Sequence, residues 1–283
     1  MAFRKNHTMA ELIRPGITSR EQMERFNAAY KARATNPTFL AIEKKICGCG
    51  YGAASWTTQG EADEMLGHLN MGRDTQLLDI GSGTGWPALY FAEQLGCDAT
   101  LTDLPYEGIL IARNRGHKDG MGARVIAAVA SAAELPFGEA RFDAVTHSDV
   151  LCCLEPKLET LSSCRRVIKP AGKMVFSTIY LNPGLSEAEV AQAKKGAPEL
   201  VEAPAPYEDM LVQAGWVLNY RASLNDQFRE TAVHLKALEE ANREELAKVW
   251  GDDTDSIIQS RADYVTAIDN NLIGRDLFVV APA

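Results

Sequence analysis

The chain has 283 residues, 46% of them hydrophobic, with a formal net charge of -9 and six cysteines. That length and apolar fraction can bury a full core as one domain with insertions, and the acidic balance argues against a basic footprint for nucleic acid. No segment approaches membrane-spanning length, the N-terminus MAFRKNHTMAELIRPG lacks the apolar run of a signal peptide, and cysteines in that setting read as reduced thiols, so the expected compartment is the cytoplasm and no metal is expected.

The first seventy or so residues read as mostly helical. Ser19 with Gln22 makes a capping box for a helix to about Arg33, Asn36 and Pro37 open another to about Lys45, and Thr58 with Glu61 opens a third to Asn70. Between them Cys47 to Thr58, CGCGYGAASWTT, is a glycine-rich loop carrying Tyr51 and Trp56.

The segment Leu77 to Asp103 is a strand, turn, helix, strand unit. Leu77, Leu78 and Ile80 around Asp79 fit a strand buried on both faces. Gly81, Gly83 and Gly85 alternate with Ser82 and Thr84, so the backbone can take positive dihedral angles and a ligand can approach without meeting a Cβ atom. Pro87 stands where a first helical residue would, Leu89, Phe91, Ala92 and Leu95 give the helix an apolar face, and Ala99 to Leu104 returns as a strand with Asp103 near its end. A dinucleotide fingerprint, G-x-G-x-x-G, would need a glycine at the sixth position, but Trp86 stands there.

Further strands follow at Val125 to Val129 and Phe142 to His147, separated by Ala130 to Phe137, which ends LPF. SDVLCCLEP leads into a helix to Ile168, and KPAGKMVFST reads as a turn and a fifth strand. Asn182 to Pro206, rich in proline with a helical piece at Glu187 to Lys195, reads as a mobile flap. YEDMLVQAGW reads as a late helix and RDLFVVAP as closing strand sequence. Between them, Phe228 to Trp250 is expected to be helical, with Val233, Leu235, Leu238, Leu246 and Val249 inward and Glu244 to Lys248 a surface pair, followed by a second helix at Ser256 to Leu272.

An acid, G-x-G-x-G, a second acid closing the next strand, the LPF loop and the ungapped FDxVxxxxVLxxL pattern over Phe142 to Leu154 together resemble the class I S-adenosylmethionine-dependent methyltransferases over roughly Gln76 to Tyr180. Within that class the resemblance is to the group holding the ubiquinone and menaquinone C-methyltransferases and the bacterial N-methyltransferases of small amines such as sarcosine and dimethylglycine. It implies a Rossmann-like α/β fold: a doubly wound, mostly parallel seven-stranded sheet with helical lid insertions. Residues 1–70 would be a helical N-terminal lid segment and 71–283 the methyltransferase domain, with a flap at 182–206 and a lid insertion at about 226–272.

The resemblance also implies S-adenosyl-L-methionine as cofactor, held by Asp79, Gly81, Ser82, Gly83, Gly85, Asp103, Leu104, Ser131, Ala132, His147, Tyr51 and Trp56. Asp103 would accept hydrogen bonds from both ribose hydroxyls, and Ser131 stands where many relatives carry Asp, leaving a hydroxyl to meet the adenine. The partner would be a small-molecule methyl acceptor, with an amine nitrogen, ring carbon or hydroxyl as the methylated atom, and the protein a monomer or homodimer.

Methyl transfer from a sulfonium needs mainly proximity and alignment, so no catalytic residue is assigned. His147 and Asp149 are candidates for a base or substrate anchor, or for a purely structural role. Tyr51 and Trp56 could cap the cofactor, form an aromatic box for a cationic amine, or pin their loop to the core. Trp86 is expected to pack beneath the glycine turn, and Cys152 and Cys153, which could not both face one site on a regular helix, to pack as small apolar residues. A cofactor-binding regulator, a nicotinamide-dependent reductase and a protein or nucleic-acid methyltransferase remain alternatives.

Overall fold

The computed structural model describes residues 19–283. Residues 1–18 of the expected lid segment, and the side chain of Ser19 with its expected cap, lie outside the described residues. The strands are β1 (Gln76–Ile80), β2 (Asp98–Asp103), β3 (Val125–Val129), β4 (Phe142–Ser148), β5 (Ile168–Leu181), β6 (Trp216–Ser223) and β7 (Ile273–Pro282). They form a seven-stranded sheet in the order β3-β2-β1-β4-β5-β7-β6. The first five run parallel, while β7 lies antiparallel between β5 and β6. The chain winds outward from β1 to β3 and then returns to β4 on the other side of β1. Ligands bind at such a switch point, beyond the carboxyl ends of the strands.

The helices are α1 (Ser19–Thr35), α2 (Pro37–Cys47), α3 (Gln59–Leu69), α4 (Ala88–Leu95), α5 (Tyr106–Lys118), α6 (Lys157–Val167), α7 (Glu187–Ala193), α8 (Tyr207–Gln213), α9 (Asn225–Ala241), α10 (Arg243–Trp250) and α11 (Thr254–Asp269). Local chemistry sets several ends. Asn36 caps α2 by accepting from the Thr38 amide, with Pro37 at the start and Gly48 in the left-handed conformation after the last turn. Thr58 and Glu61 form the expected reciprocal capping box on α3.

The alternation of β1 divides the core. Leu77 packs with Met65 of α3 and Leu89 and Phe91 of α4, whereas Leu78 and Ile80 pack on the other face with Leu161 of α6 and Met210 of α8. Two smaller clusters attach the outer helices. Phe39 and Ile42 of α2 pack against Leu246, Trp250, Ile257 and Ile258, so the N-terminal helices and the late insertion share one small core. Phe228 of α9 joins Ile179, Ala193, Val201 and Ala267 in another. The flap crosses α11 closely at Gly196, where a Cβ atom would come within 2.2 Å of the Asp263 carbonyl oxygen.

Several expectations need correction. Pro87 precedes α4 rather than opening it. Phe228 to Trp250 is two helices broken at Asn242, whose amide side chain bonds the Leu238 carbonyl at 2.8 Å. Of the residues expected inward there, Leu246 is buried but Val233 and Val249 are exposed, because the helices turn Phe228, Ala232 and Glu239 to the core instead. The surface ion pair joins Lys248 to Glu245, not Glu244. The expected turn in KPAGKMVFST is an irregularity inside the single strand β5, whereas RDLFVVAP falls in the closing strand β7 as expected.

Candidate functional site

A cavity of about 570 Å³ opens at the switch point between β1 and β4, a size suited to small ligands. Its lining joins the glycine turn, the ends of β2 and β3, the segment after β4, α1, the aromatic loop, the flap and α11.

The glycine turn is held by a tight set of bonds around β1 and β2. Ser82 Oγ donates to the Asp79 carbonyl at 3.0 Å and accepts from the Thr102 amide at 3.1 Å. The Gly83 amide donates to Asp103 Oδ2 at 2.9 Å and the Leu104 amide to Asp103 Oδ1 at 2.8 Å. Each Asp103 oxygen therefore keeps acceptor capacity on the cavity side. Burial nevertheless pushes the Asp103 carboxyl up to about 6, against the pull of those two amides.

Gly83 has φ +50, and a Cβ there would lie 3.0 Å from the Tyr30 hydroxyl of α1, so glycine permits both the turn and its roof. Gly83→Ala is expected to destabilise the fold by about 1–2 kcal/mol and to displace Tyr30. Thermal unfolding with and without S-adenosylhomocysteine, the demethylated form of the implied cofactor, reads both effects; an unchanged ligand shift would place Tyr30 outside the site.

Of the residues expected from the sequence, Gly81, Ser82, Gly83, Asp103, Leu104, Ser131, Ala132, Trp56 and Asp149 line this one cavity. Four others do not. Asp79 is buried behind the turn, its Oδ1 accepting from Thr146 Oγ1 at 2.6 Å, and burial raises it to about 7. Gly85 faces Leu89 and Ala112 on the helix side of the turn. His147 alternates onto the opposite face of β4, stacks on Phe176 at 4.5 Å, and is held neutral by burial, its pKa lowered to about 3. It is neither base nor cavity wall.

Tyr51 packs against Trp86 at 5.3 Å, with the Arg115 guanidinium 4.3 Å from its ring centre. Arg115 also donates to the Tyr51 and Thr84 carbonyls. Tyr51 thus pins its loop to the core. Trp86, expected only beneath the turn, lines the cavity and donates its indole N–H to the Thr57 carbonyl at 2.8 Å.

Asp149 reaches the cavity but is already engaged. Arg275, fully buried on β7, donates through Nε to both Asp149 oxygens at 3.0 Å and through Nη1 to Glu61 of α3 at 2.7 Å. Ser177 Oγ adds a contact to Asp149 at 3.2 Å. A carboxylate gripped in this way is an anchor for its loop rather than a mobile base. Asp149 also has φ +55, uncommon outside glycine, and the Arg275 grip holds that conformation.

Sequence reasoning missed the rest of the lining. From α1 come Gln22, Arg25, Phe26 and Tyr30, and from the late segments Glu199, Leu200 and Tyr264. Gln22 bonds the Cys153 carbonyl at 2.7 Å and Arg25 reaches Glu199 at 3.5 Å, so α1 roofs the cavity and touches the flap. Trp56 and Tyr264 meet at 4.9 Å between ring centres, with Phe228 edge-on behind Trp56. Nothing local marks Tyr264 as the partner of Trp56, since the pairing spans most of the chain.

The residues present fit S-adenosylmethionine. A glycine cradle leads to a carboxylate with free acceptor positions, followed by the small residues Ser131, Ala132 and Ala133 and the apolar Leu104 on the same wall. Among the described residues, no group of His, Cys, Asp and Glu could hold a metal ion, and no helix is long and apolar enough to cross a membrane.

Residues 78–176 match the family model described as a methyltransferase domain. The chain is 22% identical to methyltransferase GfsG of Streptomyces halstedii over 67% of this chain and 73% of that protein. It is 28% identical to phosphoethanolamine N-methyltransferase 1 of Zea mays over 82% of this chain, but spans only 45% of the maize protein's length. The structure of Haemonchus contortus phosphoethanolamine N-methyltransferase 2, in complex with phosphomonomethylethanolamine and S-adenosylhomocysteine, superposes with a TM-score of 0.74 at 20% identity over 95% of this chain and 61% of that one. The matched residues run from β1 into β5 and include the glycine turn and the β2 acid, which build the cavity wall, so over that stretch the chain is similar to the methyltransferase domain.

Proposed function

We propose that the chain transfers a methyl group from S-adenosylmethionine to the nitrogen of a small amine held between Trp56, Tyr264 and the carboxylate of Glu199. The observation that carries this reading is Glu199 Oε1, a buried oxygen with no hydrogen-bond partner among the described residues, on the wall of the cavity that also holds the two rings. A buried carboxylate oxygen left alone is costly, and a donor on the ligand removes that cost. Ring faces attract an ammonium or a partly charged amine. The acceptor nitrogen of the maize and nematode relatives supports the same class.

The bound cofactor supplies an electrophilic methyl group on a sulfonium, a good leaving group. The chain's own part is to bind, align and exclude water. Tyr30, Gln22 and Arg25 cover the site from α1, while Glu199 and Leu200 close it from the flap. An amine need only lose its proton before the displacement, whereas a hydroxyl or ring carbon calls for a base. His147 is turned away and Asp149 is gripped by Arg275, so neither expected base is available. In this reading the described part of segment 1–70, the flap at 182–206 and the insertion at about 226–272 act together as a lid. The working protein is a cytoplasmic monomer or homodimer, and a net charge of -9 disfavours nucleic acid as acceptor.

Incubation of the protein with cofactor carrying a ¹³C methyl group and a panel of small primary, secondary and tertiary amines is expected to yield an N-bound methyl signal. Methyl found on carbon or oxygen, from the panel or from a metabolite extract, overturns the amine reading. Glu199→Gln is expected to raise the acceptor KM roughly tenfold, about 1.4 kcal/mol, with S-adenosylhomocysteine affinity unchanged. An unchanged KM removes Glu199 from acceptor recognition.

A further inference from the structure

We propose that Cys152 and Cys153 form a dithiol modification site on the cavity wall, which a hydroperoxide closes into a reversible disulfide. On a regular helix two adjacent side chains point apart, but here both belong to a single 3₁₀ turn, Leu151–Cys153, directly after the Asp149–Val150 corner. Their sulfurs lie 3.9 Å apart and both residues line the cavity. Cys153 is partly exposed there, while Cys152 is fully buried, its thiol donating to the Asp149 carbonyl at 3.1 Å. One sulfur is thus open to a small solute entering the cavity, and the other waits behind it.

The surroundings favour a reactive thiolate on the exposed member. Lys157 is buried one turn away, its ammonium held by the Leu154 and Leu200 carbonyls, and Arg25 lines the same cavity. Contact with the Cys152 sulfur, helped by these two cations, holds the Cys153 thiol below its ordinary value, whereas burial pushes Cys152 up. Asp149 opposes this, but its charge is taken up by Arg275. Cys153 is therefore the attacking sulfur and Cys152 the resolving one.

The chemistry balances without further components. The Cys153 thiolate attacks the hydroperoxide; the O–O bond breaks, the leaving oxygen takes up a proton as an alcohol or water, and Cys153 becomes a sulfenic acid. Cys152 sulfur then attacks Cys153 sulfur. The S–S bond forms, the S–O bond breaks, and the expelled hydroxide takes the Cys152 proton as water. Two thiols are oxidised and one hydroperoxide is reduced. Adjacent Cα atoms are only about 3.8 Å apart, shorter than a relaxed bridge spans, so the product is a labile disulfide that thiols reduce.

Closure would also be felt across the site. The Cys153 carbonyl anchors Gln22 of the α1 roof, and the Cys152 thiol is bonded to the Asp149 corner. Bringing the sulfurs together therefore moves roof and corner at once. Methyl transfer is expected to fall by roughly tenfold to a hundredfold, the cost of moving a site wall by about an ångström, and to recover with dithiothreitol.

The test is peptide mapping of the full chain after graded hydrogen peroxide and alkylation of remaining thiols. The expected result is that the peptide carrying both residues becomes two hydrogens lighter and unalkylated before Cys97 or Cys164 reacts, and reverts with dithiothreitol. A second measurement uses phenylarsine oxide, which needs two thiols within reach of one arsenic atom. Reduced wild type should bind it in a form competed by dithiothreitol, while the peroxide-treated protein, Cys152→Ser and Cys153→Ser should not. The proposal is overturned if both cysteines stay alkylated at doses that oxidise thiols elsewhere, if either pairs with a distant cysteine, or if the Cys153→Ser protein retains full arsenical binding. The mapping is done on wild type, so poor folding of a variant does not blunt it, and none of these readouts depends on which acceptor is methylated.

Discussion

Replacing Arg275 with methionine is expected to lower the free energy of unfolding by about 3–5 kcal/mol, because it strands two buried carboxylates around an emptied charge position. Arg275 is fully buried and its guanidinium joins strand β7 to Asp149 after β4, to Glu61 on α3 and to Ser177 and Thr57. Burial already pushes Glu61 up from the ordinary carboxylate range, and the Arg275 charge is the largest influence pulling it back. Without it, Glu61 takes up a proton at higher pH and the Asp149 corner loses its clamp. Urea unfolding gives the measurement. Adding Glu61→Gln and Asp149→Asn to Arg275→Met should recover part of the loss, since the penalty belongs mostly to the stranded charges. A loss below about 1 kcal/mol for the single variant would mean that water reaches the network and that Asp149 is not held as described.

Cofactor affinity is expected to drop by about 1–3 kcal/mol in Asp103→Ala, through loss of charge-assisted hydrogen bonds. The side chain also holds the Gly83 and Leu104 amides, so the turn loosens as its ligand acceptor disappears. The same carboxyl gives a pH dependence whose sign follows from burial. In the free protein Asp103 stands at about 6, above its unfolded value of about 3.9. Its contribution to stability is therefore greatest at low pH and declines as pH rises through about 6. Asp79, raised to about 7 by burial with the Thr146 hydroxyl on its carboxyl, declines in the same sense through a slightly higher range.

Ligand binding runs the other way. In the expected contact ribose hydroxyls donate to the ionised form, so protons would compete with the cofactor, and affinity should hold steady above about pH 7 and fall as the solution is acidified below about pH 6. Titration calorimetry with S-adenosylhomocysteine from about pH 5 to about pH 8 tests the trend. A profile that is flat in the wild type, or unchanged in Asp103→Asn, removes Asp103 from the contact.

What could be read along the chain is what short-range chemistry controls. The buried run around Asp79, the alternating glycines, the acid closing β2 and the LPF loop are each set within about thirty residues by strand pairing, turn geometry and helix entry. They therefore revealed the fold, the cofactor and the wall formed by Gly81, Ser82, Gly83, Asp103, Leu104, Ser131 and Ala132, all of which the structure brings to one cavity. His147 misled because strand alternation decides its face, and one residue of register separates the cavity from the core. Tyr51 misled because Arg115, on α5, claims its ring.

The rest of the cavity depended on packing between segments far apart in the chain. Tyr264 meets Trp56, Arg275 reaches Asp149 and Glu61, Glu199 meets Arg25, and two adjacent cysteines share a wall only because a 3₁₀ turn follows β4. No local pattern encodes such meetings. They follow from how the helices at both ends of the chain pack on one another over the sheet, where buried apolar area, rather than periodicity or motif, selects the partners. The sequence by itself thus determined the fold and the methyl donor, and only the tertiary structure decided which side chains from distant segments meet around the cavity.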